Sequence, residues 1–380
     1  MTDGISGTYD PKFGELADIL LASLESGADV GASVAVMIEG QPAVDIWGGW
    51  VDEAHTAPWV ENTIVNVWST TKTVSALAAL MLVDRGLLDV DTPVAHYWPE
   101  FAANGKEHVE VRHLLSHTSG VSGWDQPVTL DDVYDSVPAC IRLAAQAPWW
   151  EPGTASGYHL FVYGHPIGEL IRRVDGRGLK QFVAEEIAAP LGADFQIGAV
   201  ESDWPRISDI IPPTHVDFSG AVIDPDGPAV KTALGPYAPP VEANSPGWRH
   251  ADIGGANGHS NARAVARVQH VVANGGELDG VRLLSPATID LIFREQANGT
   301  DLVLGIPLRW GIGYALPNPD TFAYVPDERI CLWGGWGGSM VIVDTERRMT
   351  FAYMMNRMES RIIGCPRSEA LIRAAYRALT

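Results

Sequence analysis

Ten consecutive residues, Val74 to Val83, read Val-Ser-Ala-Leu-Ala-Ala-Leu-Met-Leu-Val. The run is built from strong helix formers and leaves almost no polar face. A helix that is apolar all round has to sit inside a core. The run is also far shorter than the roughly 20 apolar residues that cross a bilayer. The chain must therefore wrap a large interior around this helix, and 380 residues are enough to do so. Its predicted span is Trp68 to Asp84, with Ser69 at the N-cap or first turn. Gly86 follows the last apolar residue, as a C′ glycine does.

Strand patterns lie at both ends of the chain and helical patterns between them. Phe13, Leu16, Ile19, Leu20 and Leu24 have helical spacing. The apolar runs Ser33–Ile38 and Ala43–Trp47 flank the turn cluster Glu39-Gly40-Gln41-Pro42 and predict a hairpin. Residues 64–200 are mostly helical in pattern, and 205–260 are rich in Pro and Gly and read as long surface loops. Arg329–Trp333, Ser339–Val343 and Met349–Met355 return to strands, and a closing helix covers about Ser368 to Leu379. The economical solution is an α/β (α+β) fold. An antiparallel sheet flanked by helices is built from both chain ends, 1–63 and 230–380, and a mostly helical domain, 64–229, is inserted. A site is expected where the two parts meet.

Helix start and chemistry coincide at one place. The chain has five lysines, and only Lys72 has a serine three residues before it, in Ser69-Thr70-Thr71-Lys72. On a helix, residues three apart face the same way. At the start of a buried helix, Ser69 gains free backbone N–H groups and a dipole that favours an oxyanion. Lys72 is partly desolvated there, so it must find a partner or act as a base. A capping serine followed by a surface lysine is the alternative.

Two further stretches carry polar chemistry in apolar company. Tyr158 ends the turn-rich Glu151-Pro152-Gly153-Thr154-Ala155-Ser156-Gly157 and precedes a helix that includes Phe161, Ile167 and Leu170. A nearby ammonium would lower its phenol and make it a base; a packed tyrosine with a satisfied hydroxyl is the alternative. Trp333-Gly334-Gly335-Trp336-Gly337-Gly338-Ser339 joins two strands. Beside a reactive serine, such a strand end can supply an oxyanion N–H; otherwise it is a hairpin turn.

In this order the three elements resemble the class C β-lactamase and family VIII carboxylesterase group, over roughly residues 15–375. Ser69-Thr-Thr-Lys72 resembles the Ser-x-x-Lys motif, and Tyr158-His159-Leu160 falls where the family has Tyr-x-Asn. Trp333-Gly334-Gly335 falls where penicillinases carry Lys-Thr-Gly. Leu114–Gly120, Glu151–Thr154 and Ala189–Gly192 are similar in style. The resemblance implies a penicillin-recognising fold and a serine carboxylesterase for short-chain esters. Ser69 is then the nucleophile, Lys72 and Tyr158 share the proton, and the N–H groups of Ser69 and Trp336 form the oxyanion hole. Gly335, Trp333 and Leu160 join Trp336 as oxyanion or substrate-binding residues. Leu160 and Trp333 replace an asparagine and a lysine that serve β-lactam polar groups, which argues for neutral esters. β-Lactamase, amidase, lactonase or acyltransferase use of the same acyl-enzyme stays open, as does a non-catalytic binding or scaffold role on the same fold.

The remaining sequence narrows the partners. A net charge of −21 disfavours nucleic acid and anionic membranes, leaving a small-molecule ester as the expected partner. Cys140, Cys331 and Cys365 are scattered and odd in number, so they read as core residues in a reducing cytoplasm. No basic-then-apolar leader opens the chain. There is no Gly-x-Ser-x-Gly elbow, no P-loop and no His-Glu-x-x-His, so no cofactor or metal is expected, including at His159, His165, His250 and His259. Gly254–Ser260 reads as a bend near the cleft entrance.

Overall fold

The computed structural model describes residues 4–215 and 224–380. Two sequence expectations extend outside them: the leader reading at residues 1–3 and the 216–223 part of the 205–260 loops. The main sheet has nine antiparallel strands: β1 (Ile5–Tyr9), β2 (Gly31–Ile38), β3 (Gln41–Gly49), β4 (Ala297–Thr300), β5 (Pro307–Trp310), β6 (Ala315–Leu316), β7 (Ile330–Gly334), β8 (Met340–Asp344) and β9 (Met349–Met355). Their order is β1-β3-β2-β9-β8-β7-β6-β5-β4, so the two chain ends meet where β2 pairs with β9. The predicted hairpin is β2–β3, turning at Glu39 and Gly40, both with positive φ.

Alternation along β2 builds two cores. Ala32, Val34 and Val36 face Leu16 and Leu20 of α1 (Gly14–Glu25), together with Leu371 and Ile372 of the C-terminal helix, Pro366–Arg377. Ala35 and Met37 face the other side, with the long helices α2 (Thr71–Asp84), α3 (Gly164–Asp175) and α4 (Ala262–Ala273). Side chains of period two therefore feed both faces of a sheet covered by helices. At about 25 cal/mol per Å² of apolar area, this two-sided burial is the dominant favourable term.

Helix α2 is as buried as its composition demands: every residue from Thr71 to Leu82 is buried. It begins three residues later than predicted, because the chain bends at Trp68 and passes through a turn at Ser69 and Thr70. Gly86 has φ +69° and closes the far end as expected. The predicted helix after Tyr158 begins only at Gly164, leaving Phe161 in the preceding turn. Residues 205–260 are not all loop: Ile207–Ser208, Pro228–Leu234, Pro246–His250 and Gly258–Ser260 are ordered elements. A small sheet of Gln196–Ile197, Gly258–Ser260, Ile64–Asn66 and Ile207–Ser208 leads the chain into Trp68. Cys140, Cys331 and Cys365 are free and buried.

Candidate active site

Ser69 owes its place to a strained neighbour. Trp68 has φ +48°, a left-handed conformation uncommon for a bulky side chain. Burial holds it there, with edge-on contacts to Trp248 and Trp336 at centroid distances of 5.5 and 5.2 Å. Ser69 stands half-buried in the turn that opens α2, where the Lys72 N–H donates to the Ser69 carbonyl at 3.0 Å.

Lys72 lies one turn on and is 2% exposed. Its Nζ meets three oxygens: Ser69 Oγ at 2.9 Å, the Leu160 carbonyl at 2.7 Å and the Gly255 carbonyl at 2.7 Å. Among the described residues no carboxylate lies within ion-pair distance of it. Loss of water pushes its basicity well below the ordinary lysine range. A neutral amine has two N–H groups and one lone pair. Carbonyls can only accept, so they take the two N–H groups, and the lone pair is left facing the Ser69 hydroxyl.

Tyr158 is 1% exposed, with its ring 4.7 Å from Lys72 Nζ. Its phenolic oxygen accepts a hydrogen bond from Trp333 Nε1 at 2.8 Å. Burial raises the phenol far above its ordinary range, and polar contacts from Ser69 and Trp333 only partly oppose this. That reverses the expectation of a phenol lowered by the lysine. Burial disfavours charge on the amine as it does on the phenol, and desolvation is the largest influence on both. His159 beside it is held at about 3, chiefly by burial, and His117 is also pushed well below the histidine range. Burial thus disfavours the charged form of both rings.

The strand end β7 reaches the same place. Gly335 passes so close that a Cβ there would lie 2.4 Å from the Val67 carbonyl and 2.9 Å from Trp68 Cβ. Only glycine fits this approach. Its N–H donates to the Ser339 carbonyl at 2.8 Å, so Gly335 contributes closeness and no oxyanion donor. Among the described residues, neither the Ser69 N–H nor the Trp336 N–H makes a hydrogen bond of ordinary geometry. Those are the two donors expected for an oxyanion, and both stand open.

A cavity of about 240 Å³ opens beside Ser69. Trp68, Tyr158, Leu160, Phe161, Trp333 and Trp336 wall one part of it, and Leu234, Tyr237 and Ile362 another. No charged side chain lines it among the described residues. The structure thus brings together Ser69, Lys72, Tyr158, Leu160, Trp333 and Trp336, with Gly335 packed behind them. The indole N–H of Trp333 serves the Tyr158 phenol, so this replacement keeps a polar contact inside the site.

Sequence reasoning missed two main-chain contributors, the carbonyls of Leu160 and Gly255. Gly254-Gly255-Ala256 forms a turn, as expected, and Ala256 lines the cavity, while Gly258–Ser260 continues as a strand. The Gly254-Gly255 pair lies buried beneath Lys72, and Ser75 Oγ donates to the Gly254 carbonyl at 2.6 Å. A Cβ at Gly254 would lie 2.2 Å from Leu179 Cδ2. The paired glycines were the available signal, since glycine marks close approach of backbones.

The chain matches the Beta-lactamase family model over residues 16–372. It is 33% identical to Esterase/beta-lactamase LipL of Mycobacterium tuberculosis, covering 94% of this chain and 84% of that one. It is 30% identical to Esterase EstB of Burkholderia gladioli, over 91% of each. Among solved structures, a family VIII carboxylesterase superposes with TM-score 0.92 at 40% identity, covering 98% of this chain and 99% of that one. With an open-donor turn, a desolvated amine and this match running nearly end to end, the chain belongs to the β-lactamase family and is a serine hydrolase of that fold.

Proposed function

We propose that the protein is a carboxylesterase that hydrolyses short-chain carboxylic esters through an acyl-enzyme on Ser69. The observation that carries this reading is the Lys72 amine. Two carbonyls occupy its N–H groups, and its remaining direction faces Ser69 Oγ at 2.9 Å. In this reading Lys72 takes the Ser69 proton as Oγ attacks the ester carbonyl. The oxyanion is received by the N–H groups of Ser69 and Trp336. Tyr158, kept protonated by burial, relays a proton to the departing alkoxide. Water then attacks the acyl-Ser69 carbonyl and gives a proton to Lys72; Lys72 returns it to Ser69 Oγ as the acyl–Oγ bond breaks, and the carboxylic acid leaves.

The wall of the cavity supports neutral esters. A carboxylated substrate would enter a pocket lined without a countercharge, and a buried unpaired charge is costly. The name of one relative points the same way, since EstB is called an esterase, while LipL is called an esterase/β-lactamase. The test is turnover of p-nitrophenyl acetate and butyrate by the wild type and Ser69→Ala, with nitrocefin as the competing substrate. Ester turnover abolished in a folded Ser69→Ala protein is the expected result. Turnover retained in that variant, or nitrocefin preferred over esters, overturns the reading.

A further inference from the structure

Asp301 lies outside the cavity wall, yet its carboxylate reaches the main chain of Tyr158. It sits in the short connection between β4 and β5 and is fully buried. Asp301 Oδ1 accepts three backbone N–H groups: Tyr158 at 2.9 Å, Val303 at 3.0 Å and Leu304 at 3.0 Å. The last two close the aspartate's own turn. The first crosses 143 positions of sequence to the residue that carries the phenol. Next to it, the Leu302 N–H donates to the Ser156 carbonyl at 2.8 Å, tying the two loops a second time.

The flanking N–H groups are held as well. Gly157 donates to the His117 carbonyl at 2.9 Å, and His159 donates to His117 Nδ1 at 3.1 Å. Three successive N–H groups around Tyr158 thus end on two residues. With the main chain fixed, the ring lies between His117 at 4.8 Å and Trp333 at 5.0 Å, and Trp333 Nε1 fixes its oxygen. Asp301 Oδ2 has no partner among the described residues, nor does any cation lie within ion-pair distance of the carboxylate. A buried carboxylate oxygen without a partner is a local cost.

We propose that Asp301 is a positioning residue for the reaction, clamping the Tyr158 main chain so that the phenolic oxygen stays between Ser69 and Trp333. This rests on the roles proposed above for Ser69 and Tyr158. Because the clamp acts on the placing of one phenol, its loss lowers kcat more than it changes KM, to which the other wall residues contribute most of the contact.

The experiment is a double-mutant cycle on p-nitrophenyl butyrate with Asp301→Leu, Tyr158→Phe and the pair, alongside Asp301→Asn. Asp301→Leu is expected to lower kcat at least about tenfold with KM within about threefold. Asp301→Asn, which keeps the Oδ1 acceptor, should restore kcat to within about threefold of wild type. In the Tyr158→Phe background, Asp301→Leu should change kcat less than about twofold. Should Asp301→Leu fail to fold, Asp301→Ser takes its place in the cycle. Its hydroxyl can serve the local turn but is too short to reach Tyr158. An undiminished kcat, or an equal loss with and without the phenol, overturns the inference. So does an asparagine variant as impaired as the leucine one. Ser69→Ala run beside the cycle separates the two failures. If it stays active the catalytic reading is wrong, and if it is dead while the cycle shows no coupling only the clamp is wrong.

Discussion

Two lysines of this chain are buried among oxygens, and they have different chemistry. Lys106 is fully buried, and its Nζ donates to the carbonyls of Ala103 at 2.7 Å, Ala144 at 3.1 Å and Gln146. Lys72 also meets three oxygens, but the third belongs to a hydroxyl. Three carbonyls satisfy all three N–H groups of an ammonium and give its lone pair, once deprotonated, no donor to accept from. A hydroxyl can reverse its role and donate. Burial lowers both amines, Lys72 the further of the two, and a nearby Asp125 charge partly supports Lys106. In the proposed reading, one oxygen of different chemistry separates a lysine that ties loops together from a lysine placed to remove a proton.

The sharpest way to break this comparison is to replace each amine by methionine. Lys72→Met should lower kcat on p-nitrophenyl butyrate by at least about a thousandfold while the protein stays folded. Lys106→Met should leave kcat within about threefold and lower the melting temperature, because three carbonyls lose their donor at a cost of about 1–3 kcal/mol or more. Circular dichroism and steady-state kinetics on the same preparations check both. Equal losses of activity in the two variants would show that the site needs only a filled interior and no base.

A smaller effect is expected one step further from the amine. Tyr158→Phe removes the proton relay and should lower kcat about a hundredfold. Trp333→Phe keeps an aromatic side chain and removes the N–H to the phenolic oxygen, together with part of the indole's bulk. Its loss should be about tenfold or less, in line with one neutral hydrogen bond. If Trp333→Phe matches Tyr158→Phe, the indole contacts the reacting atoms itself, and its place behind the phenol has to be reassigned.

The difference between the two lysines also marks how much was legible in the sequence. Ser69 and Lys72 are three residues apart at the head of an apolar run, so local periodicity was enough to join them. The sheet from both chain ends and the helices between were likewise visible, because periods of two and 3.6 are local properties. Tyr158 and the strand end at Trp333–Gly335 came from the order of motifs and their family resemblance. The Gly255 carbonyl lies 183 positions from Lys72 and the Asp301 carboxylate 143 from Tyr158. No local pattern encodes such pairs. The three carbonyls that hold Lys106 are also main-chain atoms, indifferent to residue type. The contact made by Trp333 was hidden for another reason: hydropathy counts an indole as apolar, whereas its single N–H donates to the Tyr158 phenol. The bend at Trp68 went unseen because a left-handed tryptophan is a strain that surrounding contacts impose.

The smallest expected effect is a slope in stability rather than a loss of activity. Lys72 has a folded-state affinity for protons well below that of an unfolded lysine, whose ordinary value is 10.5. Between the two values the unfolded chain binds more protons, so wild-type stability rises with pH. The penalty for burying the charged amine is full below the folded value and fades as pH approaches the ordinary lysine range. Lys72→Met has no amine to discharge and lacks this slope. Melting temperatures of the wild type and Lys72→Met, taken from about pH 7 to about pH 10, should therefore shift relative to each other in the wild type's favour as pH rises. Any fixed cost of leaving the Leu160 and Gly255 carbonyls without donors moves the whole difference up or down and leaves its slope intact. A difference that does not change with pH would mean that Lys72 keeps its proton on folding. The lone pair facing Ser69 would then be absent, and Lys72 would resemble Lys106 after all.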